Sequence, residues 1–182
     1  MTLLLVDWPE PLVIDRGPAS LFGEPDEAWF NMARTHRYLL TRRWGDGDPM
    51  TVIGLNPSTA DAFTDDRTIG RVVGFAKREG CGWVRMLNIF GLKSTDPSLL
   101  PEHPGRVGLC NDLILELFAT GLVVAAWGAG GELDGRGREV GARLAKSGIE
   151  LFCLGVTRDS QPRHPLYVRG DQPLISYEPE TE

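Results

Sequence analysis

From residue 50 onward the sequence alternates short apolar runs of strand length with amphipathic stretches of helical spacing. This alternation restricts the possible folds more than any other feature. Thr51, Val52, Ile53 and Leu55 suit a buried strand. Ile69, Val72, Val73 and Ala76 then recur at helical spacing, with Asp66 as the expected N-cap and Gly80 as the expected C′ residue. Residues 83–89 (WVRMLNI) read as the next strand. Val107, Cys110, Leu113, Ile114, Leu117 and Phe118 mark a second helix ending near Gly121. Residues 122–126 (LVVAA) form the continuous apolar run expected of a parallel strand covered on both faces. Val140 and Leu144 mark a third helix up to Gly148, and residues 149–154 (IELFCL) a further buried strand. The pattern predicts an α/β fold, a three-layer α/β/α sandwich with a central, mainly parallel sheet.

Upstream of this alternation, residues 38–44 (YLLTRRW) are strand-like. The turn signal Gly45-Asp46-Gly47-Asp48-Pro49 predicts a hairpin with the strand that follows. Residues 1–36 are divided by Pro9, Pro11, Pro18 and Pro25 and read as an N-terminal segment wrapping a single domain over residues 37–182, anchored by Trp8, Trp29 and Phe30. A length of 182 residues suits one domain with a real core.

Composition enters by exclusion. A net charge of -6 argues against a sequence-blind nucleic-acid coat, which needs a dominant positive field. The start of the chain lacks the basic region of a signal peptide, and no apolar run reaches membrane-spanning length, so a cytoplasmic protein without membrane contact is expected. Cys81, Cys110 and Cys153 are widely separated and odd in number. They read as reduced core thiols rather than a disulfide framework or a metal site, and no cofactor is expected.

The polar clusters all follow strands, where open α/β sheets place their ligand crevice. Four segments qualify, at residues 54–61 (GLNPSTAD), 87–97 (LNIFGLKSTDP), 127–131 (WGAGG) and 161–170 (QPRHPLYVRG), and in a parallel sheet they share one edge. Gly54, Asn56, Pro57 and Ser58 turn the backbone sharply; Asn56 either ties that turn or orients water or a substrate amide. The Asn88 carboxamide offers the donor and acceptor needed to read a nucleobase edge, against the plainer role of a loop clamp. His164, between Arg163 and Pro165, is a surface histidine or an acid, base or hydrogen-bond donor to developing charge. Asp61, Asp65 and Asp66 form a solvated loop face, a helix cap or a magnesium site, with capping the most economical role for Asp66. Trp127 and Gly128 open a glycine run without the GxGxxG spacing or the P-loop lysine, which favours a tight turn over a phosphate cradle. Phe63, Phe90 and Tyr167 pack in the core or stack on a flat base. Arg158, Arg163 and Arg169, with Arg136 and Arg138, would give a local basic rim.

Taken in order, GLNPS after a core strand, RMLN at the end of another and RHPLY near the C-terminus resemble the uracil-DNA glycosylase superfamily. That superfamily carries a G-x-[N/D]-P loop, a strand-end asparagine and a late H-P loop on an α/β sandwich. The combination GLNPSTAD, DDRT, NIFGLKSTDP, AAWG and QPRHPLYV is more closely similar to the bacterial and phage domain-of-unknown-function family 1643, over about Arg37 to Val168. The superfamily resemblance implies an N-glycosylase with Asn56 positioning water, Asn88 reading the base and His164 stabilising it as it leaves. Gly54, Pro57, Ser58, Asp61, Phe63, Phe90, Trp127, Gly128, Arg163 and Tyr167 would form the surrounding site. The implied substrate is an altered base in single- or double-stranded DNA or in a nucleotide. The late loop departs from the pattern: it reads HPLYVRG, without the HPSP sequence and apolar wedge of a duplex-probing member. The four cysteines of the iron-sulfur branches are also missing. Two other functions compete, a non-catalytic nucleobase-binding module and a magnesium-dependent phosphohydrolase built on Asp61, Asp65 and Asp66.

Overall fold

The computed structural model describes residues 6–18 and 24–179; the apolar start Met1 to Leu5 and residues 19–23 lie outside the described residues. The chain folds into one sheet flanked by helices. Its strands are β1 (Leu12–Arg16), β2 (Glu27–Asn31), β3 (Arg37–Arg43), β4 (Pro49–Gly54), β5 (Trp83–Asn88), β6 (Leu122–Ala125), β7 (Leu151–Cys153) and β8 (Ile175–Ser176). The helices are α1 (Arg67–Arg78), α2 (Asn111–Phe118) and α3 (Arg136–Lys146). The strand order is β1-β2-β3-β5-β4-β6-β7-β8.

The expectation of a mainly parallel sandwich of the uracil-DNA glycosylase kind does not hold. The eight-stranded sheet is mixed, with antiparallel pairings the more numerous: β1 with β2, β2 with β3, β3 with β5, and β7 with β8. Only β5-β4-β6-β7 run parallel. The expected hairpin between β3 and β4 is absent too. After β4 the chain crosses through α1 and returns as β5, which pairs with both neighbours and separates them, Leu40 facing Met86 on one side and Val52 facing Met86 on the other. The segment expected to wrap the domain supplies β1 and β2, which continue the sheet outward from β3.

Strand alternation divides the core between the two faces. Val52, Val84, Met86 and Val124 pack with Ile69, Val72, Phe75 and Ala76 of α1. Ile53, Leu87, Val123 and Ala125 pack with Ile114 and Leu115 of α2 and with Val140 and Leu144 of α3. The helix signals read from the sequence hold at α1: the Asp66 side chain accepts from the Ile69 N–H at 2.9 Å, and Gly80 just past the C-cap takes a left-handed φ of +76°. Cys81, Cys110 and Cys153 are free thiols. Among the described residues no helix is long and apolar enough to cross a membrane.

Candidate functional site

Because β4, β5, β6 and β7 are parallel, their following loops meet at one edge of the sheet and enclose a cavity of about 780 Å³. The end of β4 contributes Gly54 and the loop after it Asn56 and Ser58; β5 contributes Met86 and Asn88; the turn after β6 contributes Trp127 and Gly128; and the late loop contributes Arg163, His164 and Tyr167. The other four expected site residues lie off the cavity wall. Pro57 is buried and its carbonyl accepts the Ser94 N–H at 2.9 Å. Asp61 folds its own loop, accepting the Phe63 and Thr64 amides at 2.9 Å each. Phe63 points to solvent, and Phe90 is core.

Asn88 is the most informative side chain. It is 1% exposed, and among the described residues neither its Nδ2 nor its Oδ1 has a hydrogen-bond partner. A buried carboxamide left open at both ends costs about 1–3 kcal/mol per unpaired group unless a ligand completes it. The backbone beneath it is held firmly. Asn111 Nδ2 donates to the carbonyls of Asn88 and Ile89 at 3.0 and 3.1 Å, and Arg136 Nε donates to the Ile89 carbonyl at 3.0 Å. On the opposite side, Gly54 leaves room for the amide, because a Cβ there would meet Asn88 Oδ1 at 3.0 Å and Met86 Cε at 2.6 Å.

Asn56 is fixed from one end of its amide. Its Nδ2 donates to the Pro57 carbonyl at 3.1 Å and the Ser94 carbonyl at 2.9 Å, which ties the turn to the loop after β5. This orientation leaves Oδ1 without a partner among the described residues, on a side chain that lines the cavity. The backbone ladder also runs on past the strands, with Ile89 N–H on the Gly54 carbonyl and Phe90 N–H on the Leu55 carbonyl, both at 2.9 Å.

His164 caps a short 3₁₀ turn at Pro165–Tyr167, its Nδ1 accepting the Leu166 N–H at 3.3 Å. An accepting Nδ1 places the proton of the neutral ring on Nε2. Burial pushes the imidazole below its ordinary value, with Asp66 opposing, so the neutral form dominates at physiological pH. Gly128, with φ of +68°, lets the chain turn beside it; a Cβ there would meet His164 Cβ at 3.5 Å. Tyr167 is 82% exposed at the rim and lies 5.6 Å from the His164 ring. Trp127 is buried and donates through Nε1 to Gln161 Oε1 at 2.9 Å, which anchors the start of the late loop.

The three carboxylates, read as a loop face, a helix cap or a magnesium site, serve separately, and Asp66 is the cap. Asp61 closes its loop, Asp65 pairs with Arg42 at 2.6 Å and Asp66 caps α1 while lining the cavity. Among the described residues no group of three or more His, Cys, Asp or Glu side chains is placed to hold a metal ion. The basic rim is smaller than expected. Arg158 and Arg163 line the cavity, but Arg169 is paired with Asp171 at 3.0 Å and Arg136 is buried on the other face of the sheet among Asp112, Glu139 and the Ile89 carbonyl.

Sequence reasoning missed two residues. Arg37 is buried against the cavity, donating through Nη1 to the Ala60 carbonyl. Its only sequence signal is a charge adjoining the apolar Tyr38-Leu39-Leu40 run. Asn111, at the start of α2, reads as a routine helix-start residue and shows nothing of its clamp on β5.

Residues 37–166 match the family model described as Protein of unknown function (DUF1643), and the chain belongs to that family. No curated protein and no solved structure matches the chain.

Proposed function

We propose that this DUF1643 member is a base-recognising N-glycosylase of the uracil-DNA glycosylase type, hydrolysing the N-glycosidic bond of an altered base. The observation that carries the reading is the open Asn88 carboxamide, buried, unpaired at both ends and facing the cavity. A donor beside an acceptor in fixed geometry matches a nucleobase edge, and a ligand presenting that edge removes the cost of the unpaired groups.

The remaining residues fit the chemistry. Water bound by Asn56 Oδ1 attacks the anomeric carbon as the C–N bond breaks. The bond pair departs with the base, and the proton lost by the water ends on the base nitrogen. Charge builds on the sugar as an oxocarbenium and on the leaving base as an anion. Neutral His164, with its proton on Nε2, supplies a hydrogen bond to that leaving base.

The test is incubation with single- and double-stranded oligonucleotides, and with free nucleotides, carrying uracil, hypoxanthine or hypermodified bases. Abasic sites and freed base are expected, and loss of both in Asn56→Ala. Release of no base from any substrate overturns the catalytic reading.

A second reading, a nucleobase-binding module without catalysis, is favoured by one observation. Both hydrogens of the Asn56 amide are already committed to the Pro57 and Ser94 carbonyls, a role that structure alone explains. Calorimetry showing base binding without hydrolysis would select it.

A further inference from the structure

The cavity contains a charge that the protein does not neutralise by contact. Arg37 is 2% exposed, its Nη1 donates to the Ala60 carbonyl, and its Nε has no partner among the described residues. No carboxylate forms an ion pair with it among the described residues; Asp66 and Asp61 act on it only through space. Burial brings the guanidinium down to about 10, so it stays cationic at neutral pH. A buried cation without a counter-ion is costly, and the guanidinium fork is shaped to take two oxygens of one anionic group.

We propose that Arg37 receives the terminal phosphate of the ligand, so that the cavity takes a free nucleoside phosphate rather than a base held in a DNA chain. This rests on the nucleobase reading of Asn88. Both side chains line the same cavity, as do Ser58 and Thr68. In a polymer, the diester phosphates on either side of an inserted base remain at the mouth with their neighbours, where they can meet the exposed Arg163 but not a guanidinium 2% exposed. A terminal phosphate has no such tether. A chain of net charge -6 also lacks the broad positive field that DNA binding uses, whereas one buried arginine suffices for a small anion.

The experiment is calorimetry on the full chain with nucleosides, the matching 5′-monophosphates and inorganic phosphate. The monophosphate is expected to bind about 10- to 100-fold more tightly than the nucleoside, the usual strength of a charge-assisted pair. Arg37→Met removes that advantage and leaves nucleoside binding in place. Arg37→Lys, which keeps the charge and loses the fork, retains part of it. Equal binding of nucleoside and monophosphate by the native protein overturns the phosphate site while leaving the nucleobase reading standing, and it needs no variant to fold. An advantage unchanged in both variants moves the phosphate to the exposed arginines and overturns the assignment. Binding of inorganic phosphate with no preference for any base keeps the anion at Arg37 but overturns the nucleoside, and with it the nucleobase reading.

Discussion

Two buried arginines, one beside each face of the sheet near the end of β5, show what separates a structural charge from a functional one. Arg136 is 4% exposed and fully engaged, with Asp112, Glu139 and the Ile89 carbonyl around its guanidinium. Arg37 is as deeply buried and lines the cavity, yet among the described residues it has one carbonyl, no ion pair and an unpartnered Nε. The first network is closed and needs nothing further. The second is incomplete, and beside it stands Asn88, incomplete as well. Two neighbouring deficits in one cavity are what a bound ligand would remove, whereas burial alone distinguishes neither arginine.

The contrast is tested most severely by paired substitution. Arg136→Met should cost about 2–4 kcal/mol, because it removes one of the two donors to the Ile89 carbonyl and the buried cation between Asp112 and Glu139, while Arg37→Met should stay within about 1 kcal/mol of the native protein. Urea unfolding of the two variants checks this, and equal losses would erase the distinction. Next in size, Asn111→Ala should cost about 1–2 kcal/mol and also weaken binding of any base, since it frees the backbone under Asn88. A loss of stability with affinity untouched would make Asn111 a core clamp only.

Gly54→Ala should act more gently. Met86 Cε can move aside, but the new Cβ must also crowd Asn88 Oδ1, which predicts about a 2- to 10-fold loss of base affinity with little change in melting. The smallest effect concerns pH. Because burial lowers the His164 value in the folded chain, the unfolded chain takes up the proton first. Stability is therefore full above about pH 6.5 and declines as pH falls from there toward the folded value. Any activity that needs the neutral ring should persist below pH 6.5, and His164→Gln should remove this part of the acid dependence.

What the sequence displayed was local. The runs at β4, β5, β6 and β7 and the caps of α1 declared themselves because burial on both faces demands unbroken apolar residues and because helix ends need specific side chains. Pairing did not declare itself. Gly45 to Pro49 has every mark of a hairpin turn, yet β5 inserts between β3 and β4, a choice made by the crossover and not by the turn. The short, half-buried β1 and the two-residue β8 were silent for a different reason, since edge strands carry little apolar periodicity. At the site, asparagine and histidine stood out because they follow strands. Arg37 did not, because a charge at the start of a strand looks solvated until its surroundings are known.

The hydrogen bonds that continue the β4–β5 ladder past the strand ends, together with the Asn56 amide bridging to Ser94, make two walls of the cavity a single mechanical unit. That jaw is stiff. The opposing jaw, the late loop, is moored through Gly128 N–H on the Pro162 carbonyl at 2.8 Å, through the Trp127–Gln161 contact, and through Arg71 of α1, whose Nε donates to the Pro165 carbonyl at 3.3 Å and whose Nη2 donates to the Val168 carbonyl. The cavity is thus gripped from both sides, one wall tied by the continued sheet ladder and the other by α1 and the turn after β6, so a change in α1 reaches the occupant through the late loop.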